Sequence, residues 1–437
     1  RNIDFEQPLA EQQVEYIEDF DAVSLYPSAI HRASRDYGYP LGPARLIKDE
    51  DHFDRIKDKY KYMVEIRPTY LENKHYDIPL MSNVKKTGGR VWANTIEELF
   101  NEKMQYDTIV CNFVEFEDFL NYYDMEYEFI QGLYWKDICK CKSKKPRDGG
   151  RFGEILEDLF NLRLHYKSLS GEEKKKGSCM QLMVKLVMNS IYGKLILKPG
   201  DHQFKILKKN NSDEFIERNY RKIEFPIVGI RENRIIKMCT NTYDHQNAPH
   251  WGSIVLSMSK RIMNEPIAIA NEHNLPIYYM DTDSLHMKAQ DVETLGEKFF
   301  EKYGRELIGS HLGQLHTDFD MSGCHSVRSI LFICVGKKMY LDVLHGISYD
   351  TGEDVIGYHV KMKGAGSKRV INYCEKNNIS LVDFYLDLYN YGEHEINMLM
   401  GYNSVAFDFS KFCITKKSSF YRTIRSTAGH YESTLPD

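Results

Sequence analysis

No run in the 437-residue sequence approaches roughly 18 consecutive apolar residues, so no membrane-spanning helix is expected. No Cys-x-x-Cys pair occurs among the nine cysteines. The odd count and the unpaired spacing point to free thiols in a reducing, intracellular compartment. Cys139-Lys140-Cys141 is followed by no second ligand pair at finger spacing, which argues against a zinc finger. There is no excess of basic charge either. Lys and Arg number 58 against 63 Asp and Glu, a net charge of −5, which excludes a passive basic coat on nucleic acid. Any nucleic acid would have to lie in a local basic channel. No internal repeat and no low-complexity segment is present. The first residues, Arg1-Asn2-Ile3-Asp4-Phe5-Glu6, are polar and acidic, unlike a signal peptide, and lack an initiating Met. The sequence therefore reads as a piece of a longer chain, with length for two to four subdomains. Tyrosine, by contrast, is abundant at 30.

The most informative stretch is Ile277-Tyr278-Tyr279-Met280-Asp281-Thr282-Asp283-Ser284-Leu285-His286-Met287. It reads as a β-hairpin with two carboxylates, Asp281 and Asp283, at its turn. Such a platform offers hard oxygen ligands to an ion such as Mg²⁺ and leaves positions open for phosphate. A solvated turn is the plainer reading of the same residues. Upstream, Tyr16 to Ile30 reads as a strand ending near Asp21, a turn through Ser24, Leu25 and Tyr26, and a helix with Pro27 in its first turn. The backbone N–H groups of that turn suit an anion.

Between these stretches, Tyr62–Ile66, Ile78–Met81 and Tyr122–Trp135 read as strands, and Thr95–Met104 as a capped helix. Lys136–Arg147 is rich in cysteine and lysine, ending in Pro146-Arg147-Asp148-Gly149-Gly150. Two helices follow, one from Arg151 and one from Cys179 to about Tyr192, joined at Gly171–Gly177. Arg163 and Lys167 share a face of the first. Lys185, Asn189 and Tyr192 share a face of the second, Leu182, Leu186 and Ile191 point toward a core, and Gly193 marks a helix end or a close approach. Residues 203–207 and 222–230 pair as strands around Asn210–Asp213. Gly252–Asn274 is a long helix leading to the hairpin, and Val292–Tyr303 another. Lys338 and Tyr340 share one face of a strand, as do Lys361 and Lys363 before Gly364-Ala365-Gly366. Helices and basic loops alternate from 367 to 425, with Lys411 among the basic residues.

Three of these stretches resemble the motifs of family B DNA polymerases, in the family's order. Asp21-Ala22-Val23-Ser24-Leu25-Tyr26-Pro27-Ser28 is similar to motif A, Lys185-Leu186-Val187-Met188-Asn189-Ser190-Ile191-Tyr192-Gly193 to motif B, and Tyr279-Met280-Asp281-Thr282-Asp283-Ser284 to motif C. Lys338-Met339-Tyr340 resembles the downstream Lys-x-Tyr element and Lys363-Gly364-Ala365-Gly366 the lysine before the thumb. The protein-primed branch of phages, linear plasmids and adenoviruses is the more specific resemblance. It rests on Gly88-Gly89 and Tyr127-x-x-Ile130-x-Gly132-Leu133 in a first insertion, and on a second insertion between motifs B and C. Gln181 stands where that branch often has Lys, and no acidic exonuclease constellation precedes Asp21.

The resemblance implies an α+β right hand with a β-sheet palm, helical fingers and a small thumb. Its segments would be palm 1–75, first insertion 76–135, fingers 136–195, second insertion 196–249, palm 250–366 and thumb 367–437. It implies template-directed addition of dNTPs to a primer 3′ hydroxyl. Asp21, Asp283 and the Ala22 carbonyl would hold two Mg²⁺ ions, with Mn²⁺ as the alternative, and Asp281 would support them. Ser24, Leu25, Tyr26, Arg163, Lys167, Lys185 and Asn189 would bind the nucleotide, Tyr26 excluding a 2′-hydroxyl. Tyr192, Gly193, Lys338, Tyr340 and Lys363 would contact template-primer DNA. A terminal priming protein and a separate exonuclease domain or polypeptide are the implied partners. Two rival readings are an RNA-primed or primer-independent polymerase, separated by the insertions, and a non-catalytic nucleic-acid binder. A pure binder gains nothing from carboxylates beside phosphate, which disfavours the second.

Overall fold

The computed structural model describes residues 14–74, 79–101, 103–139, 152–197, 202–239, 247–398, 404–408, 413–417 and 421–426. The loop ending at Gly150, Cys141, Ile78, Lys411 and the first 13 residues lie outside the described residues. The protein is mixed α and β, and no helix among the described residues is long and apolar enough to cross a membrane. It forms two compact units. One comprises Arg1–Ala22, Pro266–Ser310 and Gln314–Asp437; the other comprises Val23–Glu265 and His311–Gly313.

The first unit is built on an antiparallel sheet. Its strand order is Ile277–Asp281, Ser284–Lys288, Ile17–Ala22, Cys324–Gly336, Met339–Ser348 and Asp354–Met362, with Leu315–Thr317 also paired to Ile17–Ala22. Met339–Gly346 is buried at every residue. A strand covered on both faces reads as a near-continuous apolar run, which Met339-Tyr340-Leu341-Asp342-Val343-Leu344 is, except at Asp342. Helices Ser367–Asn377 and Leu381–Tyr389 close one core by packing Val370, Phe384, Tyr385 and Leu388 against Leu341, Val343 and Val360. Phe384 and Leu388 are wholly buried, each stabilising by about 1.5–3 kcal/mol relative to exposure. Residues 367–425 are less helical than expected: Glu393–Asn397 pairs with Tyr421–Arg425, and Ser404–Asp408 with Cys413–Lys417.

The second unit contains an antiparallel sheet in the order Arg45–Ile47, Tyr123–Trp135, Lys61–Asn73 and Ile109–Asn112. Aromatic rings fill its core, with Phe53 edge-on to Tyr62 at 5.0 Å and to Phe116 at 5.6 Å. The expected helix from Thr95 is a single turn, Ile96–Leu99, although Thr95 caps it as anticipated by accepting from the Glu98 N–H. A helix that was not anticipated, Phe113–Tyr122, follows the capping residue Asn112.

Helices Phe152–Ser168 and Lys174–Ile196 pack as an antiparallel pair. Gly177 permits their approach, since a Cβ there would lie 2.5 Å from the Tyr166 carbonyl oxygen. The second helix is longer than expected at both ends, so Gly193 lies inside it with open space at its Cα. Its buried residues are Gly177, Val184 and Met188; Leu182 and Leu186 are exposed, contrary to the sequence reading. The next segment also differs from expectation. His202–Lys208 and Ile223–Ile230 do not pair with each other; both pair with Asn233–Cys239, and Lys209–Asn219 is a helix where a turn was expected.

Candidate active site

The first unit gathers carboxylates where three strands meet. Asp21 is in register with Ser284 on one side and with His316 on the other. The Ala22 N–H donates to the Asp283 carbonyl at 2.7 Å, which locks the hairpin turn to the end of the Asp21 strand. The turn consists of Thr282 and Asp283, and Thr282 takes the left-handed backbone at φ 53° that so tight a reversal requires. Burial raises the Asp283 carboxyl above its ordinary pKa, and the neighbouring charge of Asp281 raises it further. Asp281 is paired with Lys338, Nζ to Oδ2 at 3.3 Å.

Lys338 itself sits in a hairpin turn at φ 59°, and its N–H donates to the Tyr279 hydroxyl at 2.8 Å. The Lys363 N–H donates to the Lys338 carbonyl at 2.9 Å, so both lysines occupy one end of the sheet. Gly364, at φ 89°, admits the Arg422 guanidinium, which a Cβ would meet at 2.7 Å. Lys338 and Tyr340 do not share the expected strand face, because Lys338 lies in the turn before the strand. Tyr340 is 5% exposed, its ring 5.0 Å from that of Tyr279 and 5.3 Å from that of His286.

Two groups passed over in the sequence belong to this cluster. Asp21, His316 and Asp318 place donor atoms within 4.8 Å of one another, and His316 Nδ1 lies 3.0 Å from the Asp21 carbonyl oxygen. The only signal for them is the short Leu315–Thr317 strand beside Asp21. Behind the cluster, His286 is wholly buried between two carboxylates. Its Nδ1 is 3.2 Å from Asp19 and its Nε2 3.4 Å from Asp342. The Nδ1 contact is close without hydrogen-bond alignment. Burial raises the Asp19 carboxyl to about 7 against the pull of His286.

The second unit holds the expected cations and aromatics. The helix Leu25–Asp36 begins at Ser24, φ 52°, with no side-chain cap and no acidic residue in its first turn. Its amino end is therefore open to an anion. Arg163 donates to Ser24 Oγ at 3.0 Å, and its buried Nε has no partner. Burial lowers the pKa of Arg163. Partial burial, then repulsion from Arg163 and Lys185, lowers that of Lys167. None of the three forms an ion pair among the described residues. Such a cluster is held together at a cost that a polyphosphate would offset. Tyr26 stacks on Tyr192 with ring centroids 4.3 Å apart and planes at 7°. Asn189 and Gly193 are exposed on the Lys185 helix.

The donors of the carboxylate cluster are mainly oxygen, the set that suits Mg²⁺. Burial and then the charge of Asp281 disfavour the ionised Asp283 carboxyl, a cost that a bound cation would offset.

No family model matches the chain. A DNA polymerase of Kluyveromyces lactis is 22% identical over 354 residues, 80% of this chain and 31% of that protein. A probable DNA polymerase of Agaricus bitorquis is 26% identical over 187 residues, 41% of this chain and 22% of that protein. The chain thus spans less than a third of the length of these curated relatives. Among solved structures, phi29 DNA polymerase complexed with primer-template DNA and incoming nucleotide superposes with a TM-score of 0.53 at 16% identity. That match covers 95% of this chain and 59% of the phi29 chain. The chain is thus similar in sequence to DNA polymerases and shares its fold with phi29 DNA polymerase.

Proposed function

We propose that the chain is the polymerising core of a DNA-directed DNA polymerase, which adds dNTPs to a primer 3′ hydroxyl as a template directs. The observation that carries this reading is the carboxylate cluster, fixed by two strands and a hairpin turn through the Ala22–Asp283 bond. Asp21, Asp283 and the Ala22 carbonyl would hold two Mg²⁺ ions, or Mn²⁺ on the same donors. Asp281 supports them through its pairing with Lys338, and Asp318 is a further carboxylate within reach of Asp21. Divalent ions bound there lower the pKa of an attacking hydroxyl and stabilise a leaving oxyanion.

The residues of the chain bind and orient. Arg163 forks onto phosphate oxygens, Lys167 and Lys185 add charge, and the N–H groups of Ser24, Leu25 and Tyr26 face the same anion. Tyr26, backed by Tyr192, leaves no room for a 2′-hydroxyl. Asn189, Tyr192 and Gly193 line the nascent pair. Lys338 and Lys363 hold the primer backbone, and Tyr340 braces the hairpin that presents Lys338. In this reading the first unit's sheet is the palm, the Phe152–Ile196 helix pair the fingers, and the segment from 367 the thumb. The purified chain, Mg²⁺, a primed template and one labelled dNTP make the test. Extension only when the templating base is complementary supports the proposal, and template-independent addition or none contradicts it.

Protein priming is the more specific reading, supported by the phi29-type resemblance. The segment 76–135 would be the surface that receives the priming protein. It presents a basic turn, Lys85 to Gly89, exposed from Lys86 onward, on the hairpin Met81–Val84 and Arg90–Ala93. Lys85→Glu with Lys86→Glu should reduce labelling of a co-purified priming protein by dNTP and spare extension of a DNA primer. Equal effects on both would favour an RNA-primed enzyme.

A further inference from the structure

We propose that His202, Glu224 and Cys239 form a binding site for a zinc-class divalent ion on the three-stranded sheet of the second insertion. The site is separate from the polymerase carboxylates and uses a different donor chemistry.

Each ligand comes from a different strand. His202 opens the strand His202–Lys208, Cys239 closes the strand Asn233–Cys239, and the two are register partners. Glu224 lies on the third strand opposite Lys237, which shares a face with Cys239 as residues two apart do. The sheet itself therefore brings an imidazole, a thiol and a carboxylate onto one face. Their donor atoms all lie within 4.8 Å of one another. His202 Nδ1 is 3.3 Å from Glu224 Oε2, and Cys239 Sγ is 4.0 Å from the same oxygen. Bonds of about 2.0–2.3 Å to a tetrahedral Zn²⁺ separate neighbouring ligand atoms by roughly 3.3–3.7 Å. The His202–Glu224 edge already has that length, and a small turn of the exposed Cys239 side chain would bring in its two edges, 4.0 Å to Glu224 and within 4.8 Å to His202.

Nitrogen, sulfur and oxygen together select zinc over magnesium, since a thiolate is a poor partner for a hard ion. Lys237 now contacts the same Glu224 oxygen at 2.9 Å. Its ammonium shows that a cation is accommodated on this face, and an arriving ion would displace it. Three protein ligands leave one position for water.

The sheet also has a use for such an ion. Among the described residues its buried apolar side chains are Ile223, Ile236 and Met238. Phe204, Ile206 and Phe225 remain 65% exposed or more. A core this small calls for a staple. Because His202 and Cys239 are the first and last described residues of the sheet, one ion would tie together the two ends of the 202–239 segment, where closing the intervening loop gains most. Finger spacing cannot reveal the site, because strand register and not sequence distance assembles it.

The test uses the full chain, reduced and stripped of metal, with excess Mg²⁺ to occupy the polymerase carboxylates. Co²⁺ should bind at one equivalent with a thiolate-to-cobalt charge-transfer band. Cys239→Ser should abolish the band and His202→Ala weaken it, whereas Cys179→Ser, at another exposed cysteine, should leave it intact. Zn²⁺ should bleach it by displacement. Zn²⁺ at ten times its Kd should also slow proteolysis between 202 and 239 about tenfold in the parent chain and not in Cys239→Ser. Absence of the band, its survival in Cys239→Ser, or equal zinc protection of both chains would overturn the proposal.

Discussion

Lys167→Ala is the most discriminating change in the cation cluster. The side chain is crowded by Arg163 and Lys185, which lower its pKa together with partial burial. A charge-assisted hydrogen bond to phosphate contributes about 1.5–3 kcal/mol, or roughly 10- to 150-fold in affinity. Removing Lys167 also relieves repulsion on the two remaining cations, so the net loss belongs at the lower end, roughly tenfold in KM for dNTP. kcat should change less, because the phosphates are held before and during the reaction. The depressed pKa gives a second signature with a definite sign. The cationic form binds phosphate, so KM should rise with pH at a lower pH than an ordinary lysine would allow. That alkaline limb should vanish in Lys167→Ala, and Lys167→Arg should restore the KM with no limb in the same range, because a guanidinium stays charged there. Single-nucleotide incorporation across neutral to alkaline pH measures all of this. An unchanged KM in Lys167→Ala, or an unaltered alkaline limb, would refute the assignment of phosphate binding to this cluster.

Tyr26→Val should raise incorporation of NTP relative to dNTP without abolishing synthesis, since the Tyr192 ring remains; an unchanged sugar preference would place the gate elsewhere. His286→Ala leaves Asp19 and Asp342 buried without the imidazole between them, and breaking a buried pair costs about 3–5 kcal/mol. Chemical denaturation followed by near-ultraviolet circular dichroism measures this, and a loss under about 1 kcal/mol would show that the imidazole is not needed to hold the two buried acidic side chains.

The parts of the site that were legible in the sequence are local. The Ile277–Lys288 hairpin announces itself by an aromatic strand, an acidic turn and a second apolar strand. The Asp21 strand and its helix are set by Pro27 and the turn before it. What could not be read depends on distant pairing. Asp118 and Arg261, or Arg32 and Glu265, are charged residues any sequence reading leaves in solvent, yet each pair is joined by hydrogen bonds of 2.6–2.8 Å within the second unit. His286 looked like one more strand residue because neither carboxylate flanking it is near in sequence. The helix Phe113–Tyr122 was missed although Asn112, which accepts from the N–H groups of Val114 and Glu115, carries a capping signal. The helix Lys209–Asn219 was hidden by turn-forming residues. Packing of Phe215 and Ile216 against Ile236 outweighs their local preference. Tyr340 was assigned a surface because alternation gives a face but not which face is covered.

In the proposed function, nucleotide addition depends on Asp21 and Asp283. Primer extension by Asp21→Asn and Asp283→Asn, each compared with the parent chain at equal DNA occupancy, tests it most directly. Each substitution keeps the size of the side chain and the Ala22–Asp283 backbone bond while removing the charge. Extension should fall by several orders of magnitude in both, with DNA binding largely retained. Near-normal extension by either variant would contradict the account.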